Sequence, residues 1–262
     1  MAEAAQAGAP RRKQRPPPKV AAVQKIEQVT PHVVRVTFQG DELAEFGPPR
    51  PGGHIKLLFV PKGASWDRFD PEQPRPTSRT YTPRFYDRDK RTLEVEFVLH
   101  GDGLAANWVR SAAPGDRMYI GGPGGGYDVP PDAKNMIVVA DDTAVPGAGM
   151  IVEAAVPQGC NVTALCEVAD AKEERPLSRS VKIDPIWFHR GAAQACSILE
   201  REAIALQAPA DANWWIACEA NAMRRIRTHL LKERKVDPAK IHTRGYWRLG
   251  ETNYPDHDYG ND

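Results

Sequence analysis

The chain has 262 residues, long enough for two modest domains with cores of their own. With 35 Lys and Arg against 34 Asp and Glu the formal net charge is +1, so overall charge drives neither nucleic-acid binding nor membrane steering. Cys160, Cys166, Cys196 and Cys218 form no CxxC pair and lack zinc-site His spacing, so they are expected as buried thiols with no metal site. No apolar run reaches the length of a membrane helix or the pattern of a signal peptide, which makes a reducing cytoplasm the expected compartment.

Residues 1–19 are Ala, Pro, Gln and basic residues with little to bury, and are expected to form a disordered leader without a role. From Val20 to about residue 130 the pattern is short strands: Val33–Phe38, Ile55–Val60, the strictly alternating Leu93–Leu99, and Arg117–Ile120. This predicts a small antiparallel barrel. The long polar loop from Pro61 to Ser78 is expected to rim a site.

Within the barrel, Arg79-Thr80-Tyr81-Thr82-Pro83-Arg84 puts an aromatic face, hydroxyls and two fixed positive charges together. That combination suits a flavin dinucleotide, with the ring on Tyr81, Thr82 bonding ring or ribityl chain, and Arg79 and Arg84 meeting the pyrophosphate. His100-Gly101-Asp102-Gly103-Leu104-Ala105-Ala106-Asn107-Trp108 follows a strand and opens a short helix, whose N-terminal N–H groups would approach a phosphate closely; His100 would bond flavin or phosphate. The bland alternative is a turn with a packed Trp108. The run Gly121–Gly126 precedes another strand rather than a helix and is taken as the crossing between lobes.

After Pro130-Pro131 the texture changes. Asn135–Ala140 is continuously apolar, as in a parallel strand covered on both faces, and strand-like runs recur at Asn161–Glu167 and Asn213–Ala217. Helical patterns at Pro146–Val156, Ala192–Leu206 and Ala220–Lys235 alternate with them, predicting a doubly wound sheet over residues 131–250 and leaving 251–262 as a tail. Asp141-Asp142-Thr143-Ala144 falls at the first strand end, where such sheets bind ligands; the acids would accept hydrogen bonds and Thr143 would cap the helix begun by Pro146. Glu219, at another strand end, is placed near a nicotinamide, the arginines at 224, 225 and 227 near a phosphate or on a solvent face, and Lys172 and Arg175 near a 2′-phosphate. Tyr246 and Trp247 would line a ring pocket beside Arg248, with a core role for Trp247 as the plainer reading.

Taken together, Arg79–Arg84, His100–Trp108, Asp142–Pro146, Trp215–Glu219 and Gly245–Arg248 resemble, in order and across about Val20 to Gly250, the siderophore-interacting protein family of the ferredoxin-reductase superfamily. The resemblance implies a barrel holding FAD, a second lobe receiving NADH or NADPH, and a basic pocket for an anionic ferric siderophore, with Lys56 and Arg248 at matching positions. It implies single-electron reduction of Fe(III) through the flavin, with no protein metal site and no acid–base residue; a monomer is expected. The alternatives are a flavin reductase serving a protein acceptor, and a siderophore-binding protein without activity. Two departures stand out. Relatives usually read Glu-Thr-Ala-Leu-Pro-Ala-Ile where this chain has Asp142 and Pro146-Gly147-Ala148-Gly149, which predicts a looser helix or a differently shaped cofactor edge. Many relatives carry a further basic residue near the C-terminus, where this chain runs acidic from Glu251 to Tyr259.

Overall fold

The computed structural model of the protein describes residues 16–254 and 258–260; residues 1–15 of the expected leader lie outside them. The first strand begins at Lys19, slightly earlier than the sequence pattern suggests.

Seven antiparallel strands form the N-terminal sheet: β1 (Lys19–Thr30), β2 (Val33–Gln39), β3 (His54–Leu58), β4 (Ser78–Tyr81), β5 (Phe85–Asp87), β6 (Thr92–Val98) and β7 (Arg117–Gly124), in the order β4-β3-β7-β1-β2-β6-β5. Strands β4 and β5 are its two edges, yet only Thr82, Pro83 and Arg84 separate them. Such a link reaches at most roughly 14 Å, so the sheet is rolled until its edges meet. Inside the roll, alternate residues such as Val36, Phe38, Ile55, Leu57, Leu93, Val95 and Phe97 form one core. Helix α1 (Leu104–Ser111) follows β6 and packs Ala105, Val109 and Trp108 against that core.

The C-terminal sheet is parallel, in the order β10-β9-β8-β11-β12: β8 (Asn135–Asp141), β9 (Asn161–Val168), β10 (Ile186–His189), β11 (Asn213–Glu219) and β12 (Ile241–Trp247). Helices α2 (Val145–Ala155), α3 (Ser197–Ala205) and α4 (Ala220–Lys232) cover it. The apolar run of β8 has its explanation here, because Met136, Val138 and Ala140 enter the core under α2 while Ile137 and Val139 enter the core under α3 and α4. The edge strand β10 went unread in the sequence, being only four residues long with Ile186 and His189 exposed.

Three expectations change. Gly121–Gly124 do not cross between lobes but continue β7, pairing with β3 at Lys56↔Gly121 and His54↔Gly124. The loop 61–77 does not rim the cavity between the lobes. Helix α2 is regular, and its glycines are points of close approach: a Cβ at Gly147 would lie 2.8 Å from the Tyr246 hydroxyl and 3.0 Å from Trp215. One at Gly149 would lie 2.7 Å from Arg84 Nη2 and run into the Leu177 carbonyl.

Buried ion pairs hold barrel and sheet together. Arg84, at the seam of the barrel, is 5% exposed and donates to both carboxylate oxygens of Glu153 on α2, at 2.8 and 2.9 Å, and to the Leu177 carbonyl at 2.5 Å. In the reverse direction, Arg175 donates to Glu96 of β6 at 3.0 Å, and Arg35 of β2 meets the same carboxylate at 2.7 Å. Arg179 makes a forked pair with Glu94 at 3.0 and 2.8 Å. These arginines hold Glu96 and Glu153 below the ordinary carboxylate range despite the opposing cost of burial.

Replacing Glu96 by Gln strands Arg175 without a counter-charge, and about 3–5 kcal/mol of stability should be lost in denaturant unfolding at neutral pH. A carboxylate lowered on folding contributes fully above its unfolded pKa and loses its contribution as pH falls through the folded one. Glu96→Gln should therefore also flatten the acid limb of the stability profile. Gly149→Ala should destabilise the protein, although alanine improves helix propensity by about 1 kcal/mol, because the added methyl displaces Arg84; thermal unfolding checks the sign.

Candidate functional site

A cavity of about 380 Å³ opens on the seam between the two sheets. Its barrel wall is β4 and its end, from Arg79 to Thr82; its floor is the start of α1, with Gly103, Leu104, Ala105 and Ala106; its far wall is the end of β12, from Arg244 to Trp247, with Thr143 and Pro146 at the start of α2. The four residues Glu251–Tyr254 complete the rim.

Strand alternation explains why the arginine-tyrosine motif stands here. Tyr81, opposite Ile55 on β3, lies against the barrel core with its ring 4.5 Å from Phe97, and burial pushes its hydroxyl well above the ordinary tyrosine range. Thr80, opposite Lys56, takes a 2.6 Å hydrogen bond from the Lys56 ammonium. Arg79 donates to the neighbouring Ser78 carbonyl at 2.9 Å and also lines the cavity.

Helix α1 starts at Gly103 with no side-chain cap and no acidic residue in its first turn, and Asn107 N is the first helical donor satisfied within it, by Gly103 O at 2.9 Å. The N–H groups of Leu104, Ala105 and Ala106 have no acceptor within the helix, and all three residues line the cavity. His100 lines the same wall.

In the parallel sheet, three carboxylates at or next to strand ends, Asp141, Glu167 and Glu219, are engaged by backbone N–H groups. Asp141 accepts from Thr143 N at 3.0 Å, Thr143 Oγ1 at 2.6 Å and Ala144 N at 3.2 Å through Oδ1, and through Oδ2 from Trp247 Nε1 at 2.7 Å. Glu167 accepts from Cys196 N at 2.6 Å and Leu199 N at 2.9 Å at the start of α3. Glu219 caps α4 through Ala222 N at 2.9 Å and also takes Leu249 N at 3.3 Å.

The cavity therefore gathers Arg79, Thr80, Tyr81, Thr82, His100, Ala105, Ala106, Thr143 and Trp247 from the expected set. The others stand elsewhere. Arg84 and Arg175 are consumed by the ion pairs between lobes, and Glu219 by its helix cap. Trp108 is a core residue, with its ring about 6 Å from those of Phe38, Phe59 and Phe97. Ala144 is fully buried under the sheet, and Asp142, 2.5 Å from Arg190, is raised by burial above the usual carboxylate range. Thr143 does not cap α2; its hydroxyl donates to Asp141 instead. Gly101 and Lys172 are exposed and do not line the cavity, Lys56 donates to Thr80, and Arg248 pairs with Glu251 at 3.2 Å. Among the helix arginines, Arg225 pairs with Glu200 and Arg224 with Asp258.

The lining residues that were missed include Arg244 and His54. Arg244, 5% exposed, approaches His54 Nδ1 at 3.0 Å, and the His54 ring rests on a glycine floor where a Cβ at Gly124 would come within 3.2 Å of it. The one available signal was the i, i+2 spacing of His54 and Lys56 on one strand face. Among the described residues, no three His, Cys, Asp or Glu side chains gather as a metal site, and no helix is long and apolar enough to cross a membrane.

Comparison with known proteins finds two adjacent family models, the siderophore-interacting FAD-binding domain over residues 22–127 and the siderophore-interacting protein over residues 133–250. The chain belongs to the siderophore-interacting protein family. The crystal structure of a siderophore utilization protein from T. fusca is 32% identical, with a TM-score of 0.79 over 93% of this chain and 98% of that one. The NADPH-dependent ferric-chelate reductase of Escherichia coli is 28% identical across 86% of this chain and 91% of its own length. A ferredoxin-NADP+ reductase from Plasmodium falciparum, 12% identical, shares the fold at a TM-score of 0.64 over 87% of this chain and 96% of that one.

The glycines that set this member of the siderophore-interacting proteins apart from the usual pattern coincide with the approach of Tyr246 and Arg84 to α2. Asp141 is the junction of the cavity wall, since one carboxylate holds both the start of α2 and the Trp247 indole. Asp141→Ala should release that indole and expose unsatisfied donors at the α2 start, costing about 2–4 kcal/mol. Near-ultraviolet circular dichroism should lose part of its tryptophan signal, while the far-ultraviolet spectrum changes little.

Proposed function

We propose that this protein is an NAD(P)H-dependent ferric-siderophore reductase that binds FAD in the cavity between its lobes. The observation that carries this reading is the meeting, in one cavity, of an uncapped and acid-free helix start with Arg79, Tyr81 and Trp247. Those groups fit a flavin dinucleotide. The α1 N–H groups and Arg79 suit a pyrophosphate, the small side chains of Ala105 and Ala106 permit its close approach, and Tyr81 and Trp247 offer aromatic surface to the ring. Thr82 and His100 supply hydrogen bonds along the dinucleotide. The chemistry FAD supplies when bound is to take a hydride from NADH or NADPH and to release electrons singly to Fe(III).

Residues 20–130 form the FAD domain in this reading, and residues 131–250 receive the nicotinamide nucleotide. The self-capped ends of β8, β9 and β11 leave that nucleotide to be met by side chains, of which Lys172 is exposed and suited to a 2′-phosphate; Arg175 and Glu219 are supports. Lys56 and Arg248 contact an anionic chelate, through Coulomb attraction rather than proton transfer. Oxygen ligands such as hydroxamate and catecholate hold Fe(III) far better than Fe(II), so reduction itself loosens the metal. The protein acts as a cytoplasmic monomer, and the similarity to the Escherichia coli ferric-chelate reductase supports the activity.

An anaerobic absorbance experiment on purified protein tests the proposal. NADH or NADPH should bleach bound flavin, and a ferric siderophore should then restore the oxidised spectrum and yield trapped Fe(II). A preparation without flavin, or a reduced flavin that no ferric chelate reoxidises, would overturn it. Lys56→Ala combined with Arg248→Ala should raise KM for an anionic chelate roughly fivefold with flavin content unchanged, a size set by two partly exposed cations.

A further inference from the structure

The rim of the cavity carries an acid that neither the fold nor the cofactor requires. Among the described residues, two carboxylates line the cavity, Glu96 and Glu251. Glu96 is buried and matched by Arg35 at 2.7 Å and Arg175 at 3.0 Å, so its charge is cancelled within the protein. Glu251 is different, with 48% of its side chain exposed at the mouth.

Its position is built rather than incidental. Gly250, with φ of +82°, turns the chain so that Glu251 N donates to the Arg248 carbonyl at 3.0 Å. The turn is pinned at Leu249, whose N–H donates to the buried Glu219 carboxylate. Across this turn Glu251 Oε1 lies 3.2 Å from Arg248 Nη1, so the cation offered to the substrate arrives with a counter-charge attached.

Resting on the reductase reading above, we propose that Glu251 is a specificity-determining residue that filters ferric chelates by charge, weakening the hold on a trianion while leaving a neutral chelate almost unaffected. Three hydroxamates bring three negative charges to Fe(III) and give a neutral complex, whereas three catecholates bring six and give a trianion. The Coulomb interaction scales with the product of charges, so Glu251 acts on the trianion with three times its effect on a monoanion and leaves the neutral chelate almost untouched. Pairing also cancels the attraction Arg248 would exert beyond a few ångströms. Glu251 therefore narrows the advantage that Lys56 and Arg248 give an anionic chelate, and tris-catecholates bear most of that loss.

The test compares steady-state turnover of a neutral ferric trihydroxamate and a trianionic ferric tris-catecholate by the FAD-loaded protein. Glu251→Gln keeps the shape of the rim and removes the charge. It should lower the ratio of catecholate KM to hydroxamate KM roughly three- to tenfold at low salt, with the gain shrinking as salt is raised. Arg248→Gln should move the ratio the opposite way by leaving Glu251 unpaired. A ratio that does not change in Glu251→Gln, or KM values that rise or fall together for both chelates, overturns the filter while the reductase reading stands. Flavin that NAD(P)H reduces but neither chelate reoxidises in the unmodified protein overturns the reductase reading itself, and the filter with it.

Discussion

The cavity has two owners, a barrel strand on one side and a parallel strand on the other, so its shape depends on how the barrel is seated against the sheet. Arg84 and Arg175 set that seating. Each is 5% exposed, and each crosses from its own lobe to a carboxylate of the other, at Glu153 and Glu96. Removing one partner of such a buried pair costs about 3–5 kcal/mol, because the remaining charge keeps its desolvation penalty and loses its compensation. An apolar interface of the same size would permit small slips; forked arginine–carboxylate bonds tie the lobes to one register. Arg84 leaves the barrel at the short link where the edges of the rolled sheet meet, and it reaches α2 over Gly149, where any side chain would block it. Barrel closure, helix sequence and lobe orientation therefore meet at one guanidinium.

The two lobes also divide the electrostatics of the cavity. On the barrel side the start of α1 lacks both a capping side chain and an acid, which leaves its dipole and free N–H groups to an anionic ligand. On the sheet side Glu167 and Glu219 hold donors at the starts of α3 and α4, and Asp141 holds the turn that leads into α2, so the strand ends offer carboxylates. Phosphate is thus favoured at α1 and disfavoured at the ends of β8, β9 and β11. The rim adds Arg248 with Glu251 beside it, which tempers the positive field where a chelate would enter. The cavity is electrostatically graded from the α1 floor to the rim, in keeping with a site for one tightly held dinucleotide and one transient acceptor.

Much of this was legible in the chain, for identifiable reasons. The alternation of Leu93–Leu99 and the unbroken apolar run at residues 135–140 carry the periodicities of a half-buried and a fully buried strand, and both lie where they were read. The motif at residues 79–82 reaches the cavity because the tight pairing of β3 with β4 fixes which face each residue takes. Arg84, three residues past that strand, looked the same in sequence and went to the other lobe. Glu219 followed the same course: a carboxylate at a strand end reads as a ligand contact, and only the helix that starts next to it makes it a cap. Trp108 looked like part of the phosphate segment and packs against the barrel core, on the helix face it shares with Ala105 and Val109.

What the sequence by itself determined is the inventory and its local geometry: two lobes of different sheet type, the cations and aromatics available to a flavin, and a short helix opening on small residues. These follow from periodicity and backbone preference within a few residues of each position. Tertiary structure decided which of the charges are free. Arg79 and Arg84 stand five residues apart and carry the same group, yet one lines the cavity and the other is sealed against Glu153, 69 positions further along the chain. Charge compensation in the interior is a long-range matter, set by which carboxylate the fold brings within hydrogen-bond distance, and no local pattern encodes it.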